Sequence, residues 1–302
     1  MLQLRDVPPD QVTERTAAAV DRMTGLRAAA RFLAPDVARQ QIEEMVDQTR
    51  DRSELLDVVD GAEVVGLVML SQASGGELVI HDLSLDDPSR TVELVPALVE
   101  RARAAGSRLL GVGLYPGDAT RAALAAEPAF VPRATNMALP LDGEIADSAG
   151  LELRPMTGAE FDEFLSGNGE EYAGELVAAG MTEEAAAQQS REQMAQLLPD
   201  GQASPGMHFF TAWVDETAVG SLWLCTADPM AFVYDVVVDE GQRRKGYGAA
   251  IMNSAALWSR DHGHPVLGLN VFAHNLGARA LYDRLGYQVT QDYRALEVPD
   301  AG

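Results

Sequence analysis

Cysteine and lysine are almost missing from this chain of 302 residues. Cys225 is the only cysteine, so an intrachain disulfide is excluded. Its position in the apolar run from Ser221 to Cys225 predicts a buried structural thiol rather than a nucleophile. Lys245 is the only lysine, and the other basic side chains are arginines.

Long apolar runs are also absent. No run approaches the roughly 20 residues that a bilayer-spanning helix needs, and the N-terminal MLQLRDVPPDQ has no apolar stretch typical of a signal peptide. We therefore expect a cytoplasmic protein. At roughly 150 residues per domain, the length predicts two domains, each with its own core.

Positive charge is scarce. The chain has 46 acidic and 23 basic side chains, which gives a net charge of −23. Nucleic acid and anionic membranes are repelled by such a chain, so neither is expected as a partner. The imbalance is sharpest between Pro155 and Gln242, where 16 acidic residues accompany one basic residue, Arg191.

Two parts of the sequence resemble each other. The segment 81–87 reads like the segment 234–240, and 110–114 reads like 267–271, with separations of 153 and 157 residues. A similar separation, the same order and the same flanking helical patterns predict a duplicated fold. Residues 142–150 are small and acidic without periodicity, which predicts a linker between domains 1–141 and 151–302.

The hydrophobic pattern predicts a mixed α/β fold in both halves, with mostly antiparallel sheets flanked by helices. In the second half we expect strands at 151–154, 208–214, 218–226, 232–238, 266–272 and 287–294, and helices at 157–180, 182–197, 246–262 and 275–285. In the first half we expect a hairpin around 60–61, strands at 77–85 and 109–114, and a helix at 90–105.

One segment of the second half has the pattern of an anion site. A predicted strand ends at Val238, a loop with glycines follows, and a helix begins near Gly246. The first N–H groups of a helix are unpaired, and glycine lets a diphosphate approach the backbone. It is neither a Walker loop nor a Rossmann fingerprint, because both spacings are absent.

This segment resembles the pyrophosphate motif of the GNAT acetyltransferase superfamily. The run Arg243-x-x-Gly246-x-Gly248 follows a Val-x-Val strand, as in that superfamily, and the segment from Asn270 to Tyr287 is similar to its second cofactor segment. The resemblance covers roughly 151–297 well and the first half in outline.

The resemblance implies acetyl-coenzyme A as co-substrate, with no metal. The strand is expected to pair with the pantetheine arm and the loop to hold the pyrophosphate, while Tyr282 protonates the leaving thiolate. A core aromatic is the alternative for Tyr282. The implied cofactor-binding residues are Val236, Val237, Val238, Arg243, Arg244, Lys245, Gly246, Tyr247, Gly248, Ala249, Asn270, Asn275 and Ala278.

The general base stays open at this level. An ammonium acceptor must lose a proton before it attacks, and a carboxylate can take that proton. Asp235 on the predicted strand is one candidate, and it is equally explained as a structural partner to a loop. Glu170, Glu171 and Glu175, in the helical region that lines the acceptor cleft of the superfamily, are the others. His274 is explained as a helix cap.

The first half lacks the matching chemistry. At the separations above, Gly246 corresponds to Glu93 and Gly248 to Val95, while Asn275 corresponds to Asp118 and Tyr282 to Ala125. A carboxylate repels a diphosphate, and alanine donates no proton. We therefore expect residues 1–141 to form a degenerate, non-catalytic repeat.

The charge distribution predicts a cationic amine as acceptor: an antibiotic of the aminoglycoside kind, a polyamine, an amino sugar or a basic peptide. A merely solvated acidic surface is the alternative. A protein or peptide N-acetyltransferase and a non-catalytic acyl-coenzyme A sensor or scaffold also remain open, and either a monomer or a homodimer is compatible with the sequence.

Overall fold

The computed structural model describes residues 2–73, 76–148, 150–178, 182–227 and 229–299. The contacts divide the chain into two compact units. The first consists of the described residues of 1–138, 270–279 and 288–302, and the second consists of those of 139–269 and 280–287. Within the described residues, no helix is both long and apolar enough to cross a membrane.

The elements follow the same order twice along the chain, which confirms the predicted duplication of one fold. The first series is β1 (Gln3–Asp6), α1 (Val12–Arg31), α2 (Pro35–Thr49), β2 (Ser53–Asp60), β3 (Glu63–Ala73), β4 (Glu77–Leu85), α3 (Val95–Ala104), β5 (Leu109–Leu114), α4 (Ala119–Ala125) and β6 (Val131–Pro140). The second series is β7 (Leu151–Pro155), α5 (Gly158–Ala178), α6 (Glu183–Leu197), β8 (Met207–Val214), β9 (Thr217–Cys225), β10 (Ala231–Val238), α7 (Tyr247–Asp261), β11 (Val266–Phe272), α8 (Leu276–Arg284) and β12 (Gln288–Glu297). We call these series the first and second repeats.

The strands of each unit form a mostly antiparallel arrangement, as expected. In the first unit the order is β1-β2-β3-β4-β5-β12-β6, and β4–β5 is a parallel pair. In the second unit the order is β7-β8-β9-β10-β11, and β10–β11 is the parallel pair.

The last strand departs from the expected domain boundaries. β12 lies in the first unit, where it pairs antiparallel with β5 on one side and β6 on the other. The sequence halves 1–141 and 151–302 therefore do not coincide with the compact units. A strand's side-chain pattern shows which face is buried but not which neighbour it pairs with, so the pattern of 288–297 carries no signal for this exchange.

A second correction concerns the helix expected at 90–105. Residues Pro88–Leu94 form a 3₁₀ helix, and α3 begins at Val95. Pro88 and Pro96 have no backbone N–H, which favours short turns and helix starts over a continuous α-helix at these places.

The core of the second unit fixes the positions of α5 and α6. Met156, Phe161, Leu198, Phe209 and Trp223 form a buried cluster against these helices. The Phe164 ring of α5 meets the Trp223 ring of β9 edge-on, with 6.3 Å between ring centroids. Burial of aromatic area of this kind stabilises the packing, so α5 is held over the middle strands. Cys225 is buried, as predicted.

Candidate active site

The strand β10 changes its pairing at a β-bulge. Tyr234 is skipped in the register with β9, between the pairs Val233–Leu224 and Asp235–Trp223. Within the described register, the parallel pairing with β11 covers Ala231–Val233 and goes no further. The backbone of Val236–Val238 therefore pairs with β9 on one side, and its other edge is suited to an extended ligand such as a pantetheine arm.

The loop after β10 leads into an uncapped helix start. A short 3₁₀ turn covers Glu240–Gln242, Arg244 has a positive φ of 63°, and α7 begins at Tyr247 without a side-chain cap. The first intrahelical bond is donated by the Ala250 N–H to the Gly246 carbonyl, so the N–H groups of residues 247–249 are available. Such a turn presents successive N–H donors to an anion.

The basic side chains of this loop are exposed. Arg243 donates from Nε to the Val238 carbonyl oxygen at 3.1 Å, and Lys245 donates from Nζ to Gln242 Oε1 at 2.8 Å. The first contact ties the loop to the end of β10. The guanidinium and ammonium charges therefore lie beside the same helix start, which fits a diphosphate group.

The two glycines of the motif serve different purposes. Gly246 has a φ of 89°, where any other residue is strained, and a Cβ there would meet nothing within 4 Å. At Gly248 a Cβ would lie 3.3 Å from Leu281 and 3.7 Å from Val238. The missing side chain of Gly248 thus lets α7 pack closely against Leu281 and Val238, in addition to leaving space for a ligand.

Tyr282 lies in α8 and is 6% exposed. Burial, assisted by the negative charge of Asp235, raises the pKa of the Tyr282 phenol to about 12. Within the described part of the chain its hydroxyl forms no hydrogen bond. The hydroxyl is therefore protonated at neutral pH and can donate to a group that approaches it.

Asp235 follows the bulge and is held by a helix of the same unit. Asn168 of α5 donates from Nδ2 to Asp235 Oδ2 at 3.0 Å. Asn168 comes one helical turn after Phe164, on the face of α5 that packs on the strands. Asp235 is thus both fixed in orientation and close enough to influence the pKa of Tyr282.

The glutamates named as alternative bases lie elsewhere. Glu170 is exposed and lines a groove of about 450 Å³ between α5 and α6, whose other lining residues include Met194 and Leu198. The side chains of Glu171 and Glu175 are outside the described residues. Among the candidate general bases, Asp235 is therefore the one that the structure places near Tyr282, and the role of Glu171 stays a prediction.

Three of the residues expected to bind the cofactor, Asn270, Asn275 and Ala278, lie in the segment 270–279, which belongs to the first unit. Asn275 Oδ1 accepts from the Ala278 N–H at 3.0 Å, so Asn275 caps α8, and the expectation that His274 caps this helix is wrong. Asn270 donates from Nδ2 to Asn136 Oδ1 at 2.8 Å. The cofactor roles of Asn270, Asn275 and Ala278 stay predictions.

Asn168 is the site residue that the sequence reading missed. Its signal is local: Ser166, Gly167, Asn168 and Gly169 are poor helix formers, yet they stand in the middle of α5. A run of this kind inside a helix indicates a packing or functional requirement. Among the described residues no group of three His, Cys, Asp or Glu side chains could hold a metal ion.

The comparisons with known proteins agree with this geometry. The model of the Acetyltransferase (GNAT) family matches residues 175–287. The chain belongs to the GNAT acetyltransferase family, and it is an acyltransferase.

Two relatives come from Bacillus subtilis (strain 168). The uncharacterized N-acetyltransferase YycN is 37% identical over 145 residues, which cover 46% of this chain and 92% of YycN. The uncharacterized N-acetyltransferase YdgE is 32% identical over 145 residues, which cover 46% of this chain and 92% of YdgE. A GCN5-related N-acetyltransferase structure from Sphaerobacter thermophilus is 16% identical and covers 100% of this chain and 97% of its own, with a TM-score of 0.60. The last comparison shows that the fold of the whole chain, first repeat included, is GNAT-like.

Proposed function

We propose that the second repeat transfers an acetyl group from acetyl-coenzyme A to the primary amine of a cationic small molecule. The observation that carries this proposal is the open edge of β10, which leads directly into the uncapped start of α7 and has Tyr282 and Asp235 beside it. Acetyl-coenzyme A supplies an activated thioester carbonyl. Residues 236–238 would align the pantetheine arm, and the N–H groups of 247–249 with Arg243–Lys245 would hold the diphosphate.

The proton movements follow from the two side chains. Asp235 accepts a proton from the acceptor ammonium, so the free amine nitrogen can form the new C–N bond at the carbonyl carbon as the C–S bond breaks. Tyr282 donates its proton to the departing sulfur, and the second proton that the nitrogen loses as the amide forms restores the Tyr282 phenol, while Asp235 passes its proton to solvent. A backbone N–H near Val236 stabilises the developing oxyanion. One proton is released overall for each amide formed.

The acceptor class rests on charge. Residues 155–242 carry 16 acidic side chains and one basic side chain, and these residues include α5 and α6 of the acceptor side. A field of this sign concentrates cations near the site and repels anions. Ammonium-bearing antibiotics, polyamines and amino sugars all fit this field.

We further propose that the first repeat is not catalytic. The place of Gly246 is taken by Glu93, which forms an ion pair with Arg90 at 2.8 Å, and the place of Tyr282 is taken by Ala125. Asp118, at the place of Asn275, caps α4 by accepting from the Arg121 N–H at 3.0 Å. These side chains favour a structural role.

The test is the release of free thiol from acetyl-coenzyme A in the presence of a panel of cationic amines and short basic peptides. We expect turnover with small cations and a fall in kcat of about tenfold to a hundredfold in Tyr282→Phe, because the substitution removes only the proton donor. Tyr115→Phe, which alters a buried tyrosine of the first repeat, serves as the matched control and should keep wild-type kcat.

Other results separate the alternatives. Peptides that clearly outperform free amines would move the assignment to a peptide N-acetyltransferase. Saturable binding of coenzyme A without turnover on any acceptor would overturn the enzymatic proposal in favour of an acyl-coenzyme A sensor.

A further inference from the structure

The groove between α5 and α6, called here the α5–α6 groove, has the size and lining of a small-molecule site. Its volume of about 450 Å³ lies within the range of about 300–1,000 Å³ that such sites have. Part of its lining is apolar, because Leu198 belongs to the buried cluster of this unit and Leu165 and Met194 pack against that cluster. The space is left by small residues of both helices, Gly169, Ala173, Ala187 and Ser190.

The groove lies on the side of α5 that faces away from the candidate active site. Phe164 and Asn168 point toward the strands, where Phe164 meets Trp223 and Asn168 bonds to Asp235. At about 100° per residue, the groove residues of α5, which fall between 165 and 173, lie roughly 100–240° around the helix from Phe164. The groove is therefore a second site of this unit and not a part of the proposed transfer site.

Two opposite charges stand side by side at this groove. Ser190 Oγ donates to the Gly169 carbonyl oxygen at 2.8 Å, so the two helices are in contact at this level. Glu170 and Arg191 are the next residues of the two helices, and both are exposed members of the lining. Among the described residues neither of these two side chains forms an ion pair. Their charges are therefore available to a ligand.

The signs of these charges select the ligand. Arg191 is the one basic residue of the stretch from Pro155 to Gln242, which has 16 acidic residues, so this groove is where that stretch attracts a carboxylate. A simple cation is repelled by Arg191, and a simple anion is repelled by Glu170. A molecule with an ammonium, a carboxylate and an apolar body satisfies Glu170, Arg191 and the apolar lining together.

We propose that the α5–α6 groove is an effector site for a zwitterionic α-amino acid with an aliphatic side chain. Glu170 accepts from its ammonium, and Arg191 donates to its carboxylate. The aliphatic side chain lies against Leu165 and Met194.

The helix α5 links this effector site to the candidate active site. Gly167 and Gly169 flank Asn168, Gly174 follows, and each glycine inside a helix costs up to about 1 kcal/mol relative to alanine. A ligand that joins α5 to α6 stabilises this weak helix, and with it the hydrogen bond from Asn168 to Asp235. We therefore expect kcat/KM for a cationic acceptor to rise several-fold at saturating effector. This consequence, unlike the binding itself, rests on the proposed function.

Four probes separate the contributions of the ligand's groups. Calorimetric titration of the full chain should show saturable binding of L-leucine. The affinity should be lower by about tenfold or more for 3-methylbutylamine, which lacks the carboxylate, for 4-methylpentanoate, which lacks the ammonium, and for glycine, which lacks the side chain. Equal affinity for leucine and any of these three would contradict the assignment of the corresponding contact.

The variant Arg191→Gln changes selectivity as well as affinity. It should weaken leucine binding by about tenfold, because the carboxylate loses its partner, and strengthen binding of 3-methylbutylamine, because the repulsion of the ammonium is removed. A general loss of structure would weaken both. Glu170→Gln should weaken leucine binding to a similar degree. Arg260→Gln and Glu163→Gln alter exposed side chains outside the groove and should bind leucine like the wild type.

Three results overturn the inference without deciding the proposed function. If the wild type does not bind leucine, the site is wrong whatever the activity. If leucine binds but leaves the acetylation of the best cationic acceptor unchanged, the effector role is wrong. If leucine is itself acetylated and Arg191→Gln prevents this, the groove is an acceptor pocket. Leucine binding with the expected selectivity, but no acetylation of any amine, would support the site and refute the proposed function.

Discussion

The two repeats share one order of elements but differ in the side chains at two equivalent positions, one in the loop after the bulged strand and one beside the aspartate that follows the bulge. At the place of Gly246 the first repeat has Glu93, which forms an ion pair with Arg90 at 2.8 Å, and Arg22 forms an ion pair with the buried Asp82. In the second repeat the helix start at Tyr247 has no side-chain cap, and Asp235 faces the neutral Asn168. The first repeat thus has charged side chains, Glu93 and Arg22, where the second repeat has the uncharged Gly246 and Asn168.

The comparison shows that the backbone frame and the chemistry of this fold are separable. The bulge and the limited parallel pairing beyond it are present in both repeats, since β4 pairs with β5 only at Glu77–Ile80 and β10 pairs with β11 only at Ala231–Val233. The end of parallel pairing partway along β4 and β10 is therefore common to both repeats. The repeats differ instead in the side chains that this shared frame carries.

The largest expected effect comes from giving the second repeat the loop residue of the first. Gly246→Glu places a carboxylate near the diphosphate and forces a non-glycine residue to a φ of 89°, so we expect the affinity for coenzyme A to fall by roughly 1000-fold, about 4 kcal/mol. Calorimetric titration with coenzyme A measures this loss. Gly241→Ala, in the same loop and with nothing within 4 Å of the added Cβ, is the control and should bind normally.

The next effect concerns stability and comes from removing the internal cation. Arg22→Asn leaves the buried Asp82 without its guanidinium, and we expect the free energy of unfolding to fall by about 3 kcal/mol. Burial already raises the pKa of Asp82, and Arg22 opposes this shift, so the variant should be least destabilised at acidic pH. Chemical denaturation at pH 5 and pH 8 checks both points. A rise in the acceptor KM of this variant would contradict a purely structural first repeat.

A smaller effect on stability concerns His81. The register of β4 with β3 skips this residue, as the register of β10 with β9 skips Tyr234. His81 bonds to Ser71 at 2.6 Å, and burial, assisted by the charges of Arg121 and Arg52, lowers the pKa of the imidazole to about 4. Because the folded pKa lies below the unfolded value, His81 contributes stability above about pH 6.5 that is lost as the pH falls toward 4. His81→Gln should flatten this part of the stability profile by about 2 kcal/mol.

Denaturation curves between pH 4 and pH 7 measure this change, and the exposed His274→Gln is the control. A profile for His81→Gln that still follows the wild type would show that another group titrates in this range.

The smallest effect tests the acidic field of the second repeat. At saturating acetyl-coenzyme A, raising the ionic strength from 0.05 to 0.5 M should lower kcat/KM for a dication by roughly threefold, because salt screens long-range attraction. An uncharged hydroxylamine-type acceptor should show little change. Equal salt sensitivity of the two acceptors would rule out steering by this field.

Much of this arrangement could be predicted from short segments of sequence. Val236–Val238 followed by Gly246 and Gly248 predicts a strand, an anion-binding turn and a helix, because each of these depends on neighbouring residues. The equivalence of Asp82 with Asp235 was visible for the same reason. The strands at 208–214 and 218–226 were also predicted, and Asp215 in the short turn between them has a φ of 53°, which suits an aspartate.

The remainder depends on residues that are distant in the chain. Asn168 and Asp235 are 67 positions apart, and their hydrogen bond follows from the way aromatic packing seats α5 on the sheet. The pairing of β12 with β5 connects strands that are separated in the chain by α4, β6 and all elements from β7 to α8. Periodicity identifies the buried face of an element but not its distant neighbour, so neither contact could be read from the sequence.

The position of β12 also has a consequence for how the chain folds during synthesis. The sheet of the first unit needs residues 288–297 between β5 and β6, but a ribosome reaches them only after it has made the rest of the second repeat, from β7 to α8. At roughly 5–20 residues per second, the nascent first repeat waits on the order of ten seconds with the edges of β5 and β6 unpaired. The order of translation thus makes completion of the first unit the last folding event, and a nascent chain that stops before residue 288 leaves that unit without its sixth strand in the order β1-β2-β3-β4-β5-β12-β6.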